Sequence, residues 1–462
     1  MLKNLEERVV KELQLLEIPP HDWVLPQSGS AYDVVIVGAG MAGLCAGFAL
    51  VKEGIRNIQI FDASPEGFEG PWDTYAHMLT LRSGKHLAGP ALGIPSLTFQ
   101  AWYRAKFGEE AWDTLYKIPT HLWMEYLRWY RQVLQLPVQN QATVHSIYPE
   151  GNLIKLGLDS KEVLARKVVL ATGRGGFGGV DIPLFMQGIA KDLYAHTSDQ
   201  IDFIALKGKE VGVVGIGASS FDAAAVALEC GAKSVVNLVR REKIPNINKA
   251  LYASYAGFWE GYYQLANEAR WQIMHAIYID GVPAPFESLD RVKNYANFTV
   301  VKGVTIMAAQ EENERVVFET NKGKRAFDFV ILATGFAIDG QKQPELCTLY
   351  PEILLWGDVR VGRSLPYPPE FDRYPYLGPH FEFREKIANQ APYLNQIYCF
   401  NYAATLSHGQ VSGDIPAISI GAERLAKGIS ADFLRNGYQD YLKDIQTCSH
   451  AEFEEMNYPF FH

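Results

Sequence analysis

The stretch from Tyr32 to Asp62 constrains this chain more than any other. Asp33-Val34-Val35-Ile36-Val37 is a short apolar, β-branched run, the pattern of a parallel strand buried on both faces. Gly38-Ala39-Gly40-Met41-Ala42-Gly43 follows without a break. In that order the first glycine permits a tight turn and the second lets backbone approach a pyrophosphate. The third lets the following helix pack on the strand. Ala42 to Glu53 reads as this helix, whose first N–H groups can hold phosphates. Ile58-Gln59-Ile60-Phe61 is the next strand, ending at Asp62-Ala63, where a carboxylate can accept hydrogen bonds from a ribose hydroxyl. Strand, glycine turn, helix, strand and acid in one order specify a dinucleotide-binding βαβ unit.

A second start appears at Lys209. Glu210 to Val214 reads as a strand, Gly215-Ile216-Gly217-Ala218-Ser219-Ser220 as a glycine turn with Ser220 in the third glycine's place, and Phe221 to Cys230 as a helix closed by Gly231. The next strand, Ser234 to Val239, ends not in an acid but in Arg240-Arg241. The two units therefore carry opposite charge logic. Asp62 would repel a 2′-phosphate and suits FAD or NAD; Arg240 and Arg241 would pair with a 2′-phosphate and suit NADP, unless they are only a solvated strand end.

At 462 residues the chain exceeds what one core usually holds, so two domains are expected. A net charge of −9 and no basic run argue against a nucleic-acid partner. The five cysteines are scattered, without a CxxC pair, so neither a dithiol centre nor a thiolate metal site is signalled, and a reducing compartment is suggested. No apolar run reaches the ~18 residues a membrane helix needs. Residues 1–31 begin with charges on a helical pattern and lack the apolar centre of a signal peptide, so a helical extension and a cytoplasmic location are expected.

Ala63 to Pro95 is a Gly/Pro-rich passage too long for a plain loop, and such loops are usually functional. Phe99 to Phe107 and Glu109 to Tyr116 read as helices. A stronger helix starts at Pro119-Thr120, with Thr120 as N-cap and Leu122, Trp123, Tyr126, Leu127, Tyr130 and Leu134 on one face. Gln141 to Ile147, Leu153 to Leu158 and Arg166 to Leu170 read as strands, the last running into Ala171-Thr172-Gly173. Ile244 to Lys302 is an aromatic-rich helical insertion that suits a substrate lid, a contact with a second copy of the chain, or plain packing. Strands resume at 299–301, Val304 to Ala308 and Arg315 to Glu319, and Ala326 to Leu332 is the last of them, ending in Ala333-Thr334-Gly335. Leu365 to Pro379 reads as irregular and Ile397 to Phe400 as a strand. A helix runs from Asp414, its N-cap, through Lys427, and a further helix starts at Ala431.

GAGMAG with Asp62, ATG at 171, GIGASS with Arg240-Arg241 and LATGF at 332 form an ordered set. It resembles the two-dinucleotide-domain (class B) flavoprotein monooxygenases, which include flavin-containing, N-hydroxylating and Baeyer–Villiger enzymes. The resemblance covers Tyr32 to about Lys427. Asp328 to Phe336 looks like that group's D-x3-L/F-ATGY/F element, and Glu69-Gly70-Pro71-Trp72 like its GGxW turn. His196-Thr197-Ser198 stands where its FxGxxxH fingerprint ends, although Ala190 and Asp192 replace the Phe and Gly. Asp199-Gln200-Ile201 replaces the Arg and Trp-Pro that follow in Baeyer–Villiger enzymes. The missing CxxC separates the chain from the disulfide reductases that share the two-domain plan.

The resemblance implies an α/β fold with two Rossmann-like domains, the second inserted in the first. An FAD domain would comprise 32–175 and 335–462; an NADPH domain would comprise 176–334 and carry the insertion at about 244–302. It implies hydride transfer from NADPH to FAD, a flavin C4a-hydroperoxide formed from O2, and oxygen transfer to a small nucleophilic N or S substrate, or less readily to a ketone. An FAD-dependent NADPH oxidase or reductase is the rival, and a flavin-binding sensor or scaffold a third class. Cofactor contacts are expected at Gly38, Gly40, Met41, Ala42, Gly43, Asp62, Ala63, Trp72, Val144, Ala171, Thr172 and Gly173. The second seat would add Gly215, Gly217, Ala218, Ser219, Ser220, Arg240, Arg241, Ala333, Thr334 and Gly335, with Gln410 and Asp414 near the flavin. Arg82 or Lys85 would offset charge on reduced flavin or lie near the nicotinamide, with a solvated loop charge as the alternative. His196 would orient NADP⁺, mark the hinge or be structural. No metal is expected.

Overall fold

The computed structural model describes residues 1–26, 29, 31–159, 161–359, 369–453 and 460. Helix α1 (Leu2–Leu15) precedes β1 (Tyr32–Val37), α2 (Met41–Lys52) and β2 (Ile58–Phe61). The long loop follows, then α3 (Phe99–Phe107), α4 (Glu109–Thr114), α5 (Thr120–Val133) and strands β3 (Val138–Gln139), β4 (Val144–Glu150), β5 (Leu153–Leu158) and β6 (Glu162–Leu170). The second unit is β7 (Tyr194–His196), β8 (Glu210–Val214), α6 (Ala218–Glu229) and β9 (Ser234–Leu238). The insertion carries α7 (Ala256–Gly261), α8 (Asn267–Tyr278) and α9 (Phe286–Val292), and is followed by β10 (Phe298–Val301), β11 (Ile306–Glu312), β12 (Arg315–Thr320), β13 (Gly323–Phe327) and β14 (Phe329–Leu332). The chain returns to the first unit with β15 (Ile397–Cys399), α10 (Thr405–His408) and α11 (Ile418–Thr447).

One seven-stranded sheet has the order β3-β2-β1-β6-β5-β4, with β15 also beside β6. Strand β6 is long enough to divide its edge: Glu162 to Ala165 pair with β5, Val168 to Leu170 with β15. A second sheet, β10-β9-β8-β14-β7, is parallel throughout. Strands β11 to β13 form an antiparallel meander beside it. The fold is therefore α/β with two doubly wound units, the second inserted in the first.

Helix α2 is apolar almost all round because it is covered on both sides, by the sheet and by α11, with Lys52 Nζ at 2.9 Å from Glu423. Helix α5 shows the expected single buried face of Trp123, Tyr126, Leu127 and Tyr130.

Several elements depart from the sequence reading. Thr120 is not an N-cap: Pro119 holds that position, and the Thr120 hydroxyl donates to the Met78 carbonyl at 2.9 Å. Strand β4 starts at Val144 rather than Gln141, and β7 has no counterpart in the reading. The run Ala326 to Leu332 is two strands, because Asp328 turns the chain from the meander into the parallel sheet. Helix α11 does not stop at Lys427; it runs on to Thr447, 30 residues in all. Burial of Leu425, Ala426, Ile429 and Phe433 outweighs the ~1 kcal/mol that Gly428 costs inside a helix. Residues 365–368 of the expected irregular passage lie outside the described residues.

Candidate active site

The first glycine turn is built as its spacing predicts. Gly38 has φ +103°, and a Cβ there would lie 2.5 Å from the Ala171 carbonyl oxygen, so β1 and β6 close on it. A Cβ on Gly43 would lie 1.8 Å from the Gly38 oxygen, which keeps α2 tight on the turn. Gly40 instead faces open space, its nearest neighbour being Gly70 Cα, 3.9 Å from where its Cβ would stand. Room on that side and hydrogen-bond donors at the start of α2 fit a dinucleotide pyrophosphate. Asp62 accepts from the backbone N–H groups of Ala39 (2.6 Å) and Ser64 (2.7 Å), one at each carboxylate oxygen, and retains lone pairs for a ribose. Trp72 stands edge-on to Trp123 at 6.4 Å beside Gly70. A cavity of about 190 Å³ opens next to Ala39 and reaches Glu69, Leu127, Arg128 and Arg131. Arg131 bonds Glu69 at 2.8 Å and Asn140 at 2.9 Å.

The second turn explains its own irregularity. Ser220, in the third glycine's place, donates its hydroxyl to the Gly215 carbonyl at 2.9 Å and accepts from Asn237 at 2.9 Å. The turn is thus held by a side chain where the first is held by backbone contact. Ser220 is fully buried with its hydroxyl committed, so it is a structural residue rather than a cofactor contact. Gly217 is open, and Ser219 is exposed at the start of α6. Arg240 is exposed past the end of β9, but Arg241 is turned aside: its guanidinium donates to the carbonyls of Ile279 and Asp280, at 2.9 Å to the latter. It clamps the insertion and has fewer donors left for a phosphate.

Two other expected residues, Lys85 and Val144, lie elsewhere than the reading had them, and His196 takes the structural place it had among its alternatives. Lys85 donates to the Trp112 and Asp113 carbonyls at the end of α4 (2.7 and 3.3 Å) and covers the Trp112 ring, so a helix terminus holds its charge. His196 is fully buried; its Nδ1 meets Ser198 Oγ at 2.7 Å, and burial lowers its pKa, keeping it neutral. It cannot touch a substrate and is a seam residue against Phe336. Val144 is a buried sheet residue paired with Leu158.

The two crossover segments are joined to each other: Asp181 N–H donates to Gly335 O at 2.9 Å and Asp339 N–H to Phe177 O at 2.7 Å. Thr334 bonds Asp181, and Thr172 accepts from Asn401 at 3.1 Å. Beside this seam stands a basic residue absent from the sequence reading. Arg174, the residue after Ala171-Thr172-Gly173, sits with its guanidinium carbon 4.9 Å from the Tyr402 ring centre. Arg174 and Asp414 are both solvent-exposed, and loss of surrounding water is nonetheless the largest influence on each. For Arg174 the surrounding Tyr402, Asp414, Tyr278 and Tyr374 outweigh burial and raise its pKa; the Asp414 pKa is raised by burial. Gln410 donates to the Tyr278 hydroxyl at 2.8 Å. Arg82 donates to Pro283 O at 3.0 Å and feels Asp414 and Arg174. Arg82, Asp414 and Tyr278 thus lie within electrostatic reach of Arg174, and Gln410 is tied to Tyr278. Only Arg174's place directly after Ala171-Thr172-Gly173 could have drawn attention to it in sequence.

A sequence profile described as pyridine nucleotide-disulphide oxidoreductase matches residues 35–255. The FAD-dependent urate hydroxylase of Xanthomonas campestris pv. campestris is 36% identical over 460 residues, 98% of this chain and 97% of that protein. The chain belongs to the two-dinucleotide-domain flavoprotein monooxygenases. This flavoprotein monooxygenase shares its fold with the ornithine hydroxylase of Pseudomonas aeruginosa, at TM-score 0.67 and 14% identity over 87% of this chain and 99% of that one. The L-lysine 6-monooxygenase of Pseudomonas syringae matches with TM-score 0.66 and 16% identity over the same shares, 87% and 99%. All five cysteines of the chain are free, and burial pushes the thiols of Cys45 and Cys399 up. Among the described residues no helix is long and apolar enough to cross a membrane, and no group of three or more His, Cys, Asp or Glu could hold a metal.

Proposed function

We propose that this monooxygenase binds FAD in the unit 32–175 with 335–462 and NADPH in the unit 176–334, and transfers one oxygen atom of O2 to a small electron-rich substrate. Urate is the first candidate, and a nucleophilic nitrogen or sulfur compound the alternative. The observation that carries the reading is identity of 36% along nearly the whole chain with a protein named FAD-dependent urate hydroxylase.

The chemistry FAD and NADPH supply when bound is hydride transfer, O2 activation and delivery of an oxygen atom. The chain's own part is positioning. Gly38, Gly40 and the first N–H groups of α2 cradle the flavin dinucleotide's phosphates, and Asp62 accepts from its ribose. Met41, Ala42, Ala63, Ala171 and Gly173 lie around the same turn, and Trp72 covers it. Gly215, Gly217, Ala218, Ser219 and the small residues Ala333, Thr334 and Gly335 line the nicotinamide seat, with Arg240 for the 2′-phosphate. Tyr278, Tyr374 and Tyr402 place aromatic rings around Arg174.

Purified holoenzyme given urate and NADPH should consume O2 and NADPH one for one while urate disappears. Recovery of all the NADPH electrons as peroxide, in the presence of urate, amines and sulfides alike, would identify an oxidase and overturn the proposal.

A further inference from the structure

We infer that Arg291 of α9 is a positioning residue: it docks the loop that carries Trp72 onto the coenzyme unit and so sets the distance over which hydride passes between the units. The inference rests on the proposed seats of FAD and NADPH.

The Arg291 side chain is only 10% exposed, and every nitrogen of its guanidinium has a partner. Nε and Nη2 grip the Glu229 carboxylate at 3.1 and 2.9 Å. Nη1 lies 3.4 Å from the buried Asp222 carboxylate and donates to the His77 carbonyl at 2.8 Å. Asp222 and Glu229 belong to α6, the helix that opens at the second glycine turn. His77 belongs to the long loop of the first unit. A planar fork can hold a carboxylate on one edge and a backbone carbonyl on another, which a point charge cannot. Val292 already fastens α9 to α6 by sharing a core with Phe221 and Leu228. The bond to His77 adds what that packing lacks, a tie across the junction of the two units.

A second contact meets the same residue. The His77 ring stands edge-on to Phe203, 4.8 Å between centres, and Phe203 is buried in the core of the second unit. A closed turn carries this anchorage to the flavin side. Ala76 N–H donates to Pro71 O at 2.9 Å, and the Thr74 hydroxyl to Gly70 O at 2.7 Å. Gly70 and Trp72 are thus bound to His77 in one turn, and Gly70 Cα is the nearest neighbour of a Cβ placed on Gly40. Along the same segment Arg82 donates to Pro283 O at 3.0 Å and Lys117 pairs with Glu287. Of these three cations, Arg291 is the one that also holds α6. A shift of about 1 Å between reacting groups can cost about a hundredfold in rate, so a tie of this kind governs chemistry it does not touch.

The test is anaerobic stopped-flow reduction of the FAD-loaded protein, in which NADPH gives a hydride to the bound flavin and is left as NADP⁺. In Arg291→Met the limiting rate at saturating NADPH should fall at least about tenfold. The Kd for NADPH should stay within about twofold, with FAD content unchanged. Protein reduced with dithionite should reoxidise in O2 at the wild-type rate, whereas general structural damage would move FAD content and both rates together. Arg291→Lys, which keeps the charge but not the fork, should fall between Arg291→Met and wild type. Lys293→Met, an exposed position at the end of α9, should match wild type. Without cofactors, limited proteolysis should cut the loop 63–95 of flavin-free Arg291→Met about tenfold faster than that of flavin-free wild type, the scale of a lost charged hydrogen bond. Wild-type reduction in both Arg291 variants, a slower rate accompanied by loss of FAD or NADPH binding, or unchanged cleavage of the loop would overturn the inference. Should Arg291→Met not accumulate with FAD, a wild-type rate in Arg291→Lys would overturn it. Wild-type flavin that NADPH does not reduce would overturn the cofactor seats, and this role with them.

Discussion

Lys167 is only 3% exposed, and its ammonium meets Asp432 at 2.8 Å, pinning α11 to β6. Burial lowers the Lys167 pKa. Burial also works against the Asp432 carboxylate, but Lys167, Tyr398 and Arg435 outweigh it and hold that pKa below the usual carboxylate range. A depressed folded pKa stabilises the fold above the unfolded value, near 4, and that stability is lost as pH falls through the folded value. Asp432→Asn should therefore cost about 2–4 kcal/mol at neutral pH in urea unfolding, because it strands a buried ammonium. The difference from wild type should shrink below about pH 4. A gap that stays constant with pH would show that the pair contributes no ionic stability. At the first turn, Gly38→Val places carbon against the Ala171 carbonyl and should yield protein without the flavin's visible absorbance. Gly84→Ala, where a Cβ meets nothing within 4 Å, should keep full FAD content. Both turns were legible residue by residue, since the glycine spacing itself states the geometry. Ser220 was misjudged because its role depends on Asn237, on the neighbouring strand β9.

At the scale of elements, β9 and the insertion share Arg241. Because that arginine holds the 279–280 carbonyls while Arg240 is exposed, the two should part in behaviour. Arg240→Ala should raise the KM for NADPH roughly tenfold or more and leave that for NADH little changed, as loss of a charge-assisted phosphate contact requires. Arg241→Ala should loosen the insertion and weaken both coenzymes together. Equal, coenzyme-selective effects of the two would contradict this division. The insertion is more than a lid: Phe258, Tyr262, Trp271 and Met274 join the core of the first unit, Val292 that of the second. Arg270, 4% exposed, ties α8 to the Ser407 carbonyl at 2.9 Å. Helical spacing marked it as helical but carried no information on which core it covers. The unbroken α11 was hidden for a related reason, since propensity at Gly428 argued for a stop and only packing on α2 and β6 argued against one.

Across the whole molecule, the proposed flavin seat is assembled from the turn at Gly38, the loop at Trp72, the strand end at Ala171 and the short turn at Asp414 ahead of α11. A ligand that bridges such distant segments stabilises all of them together. Removing FAD should lower the melting temperature, and restoring it at a thousandfold excess over its dissociation constant should return about 4 kcal/mol. Limited proteolysis of the flavin-free protein should begin in the loop 63–95. An unchanged melting temperature and digestion pattern would mean that the seat is rigid without its ligand.

The sequence by itself determined the two βαβ units, their order and the opposite charge at their strand ends, while the nesting of one in the other came only from the family resemblance. Each of these is written in residues close together, where turn sterics, helix dipoles and strand periodicity act over a few positions. Only the tertiary structure decided which charges face a ligand. It turned Lys85 and Arg241 onto backbone carbonyls, sealed His196 inside, and brought Arg82, Tyr278, Tyr402 and Asp414 within electrostatic reach of Arg174, with Gln410 bonded to Tyr278. Those six come from four separate stretches of chain, and their meeting depends on how two sheets, an insertion and a long loop pack. No local pattern encodes it.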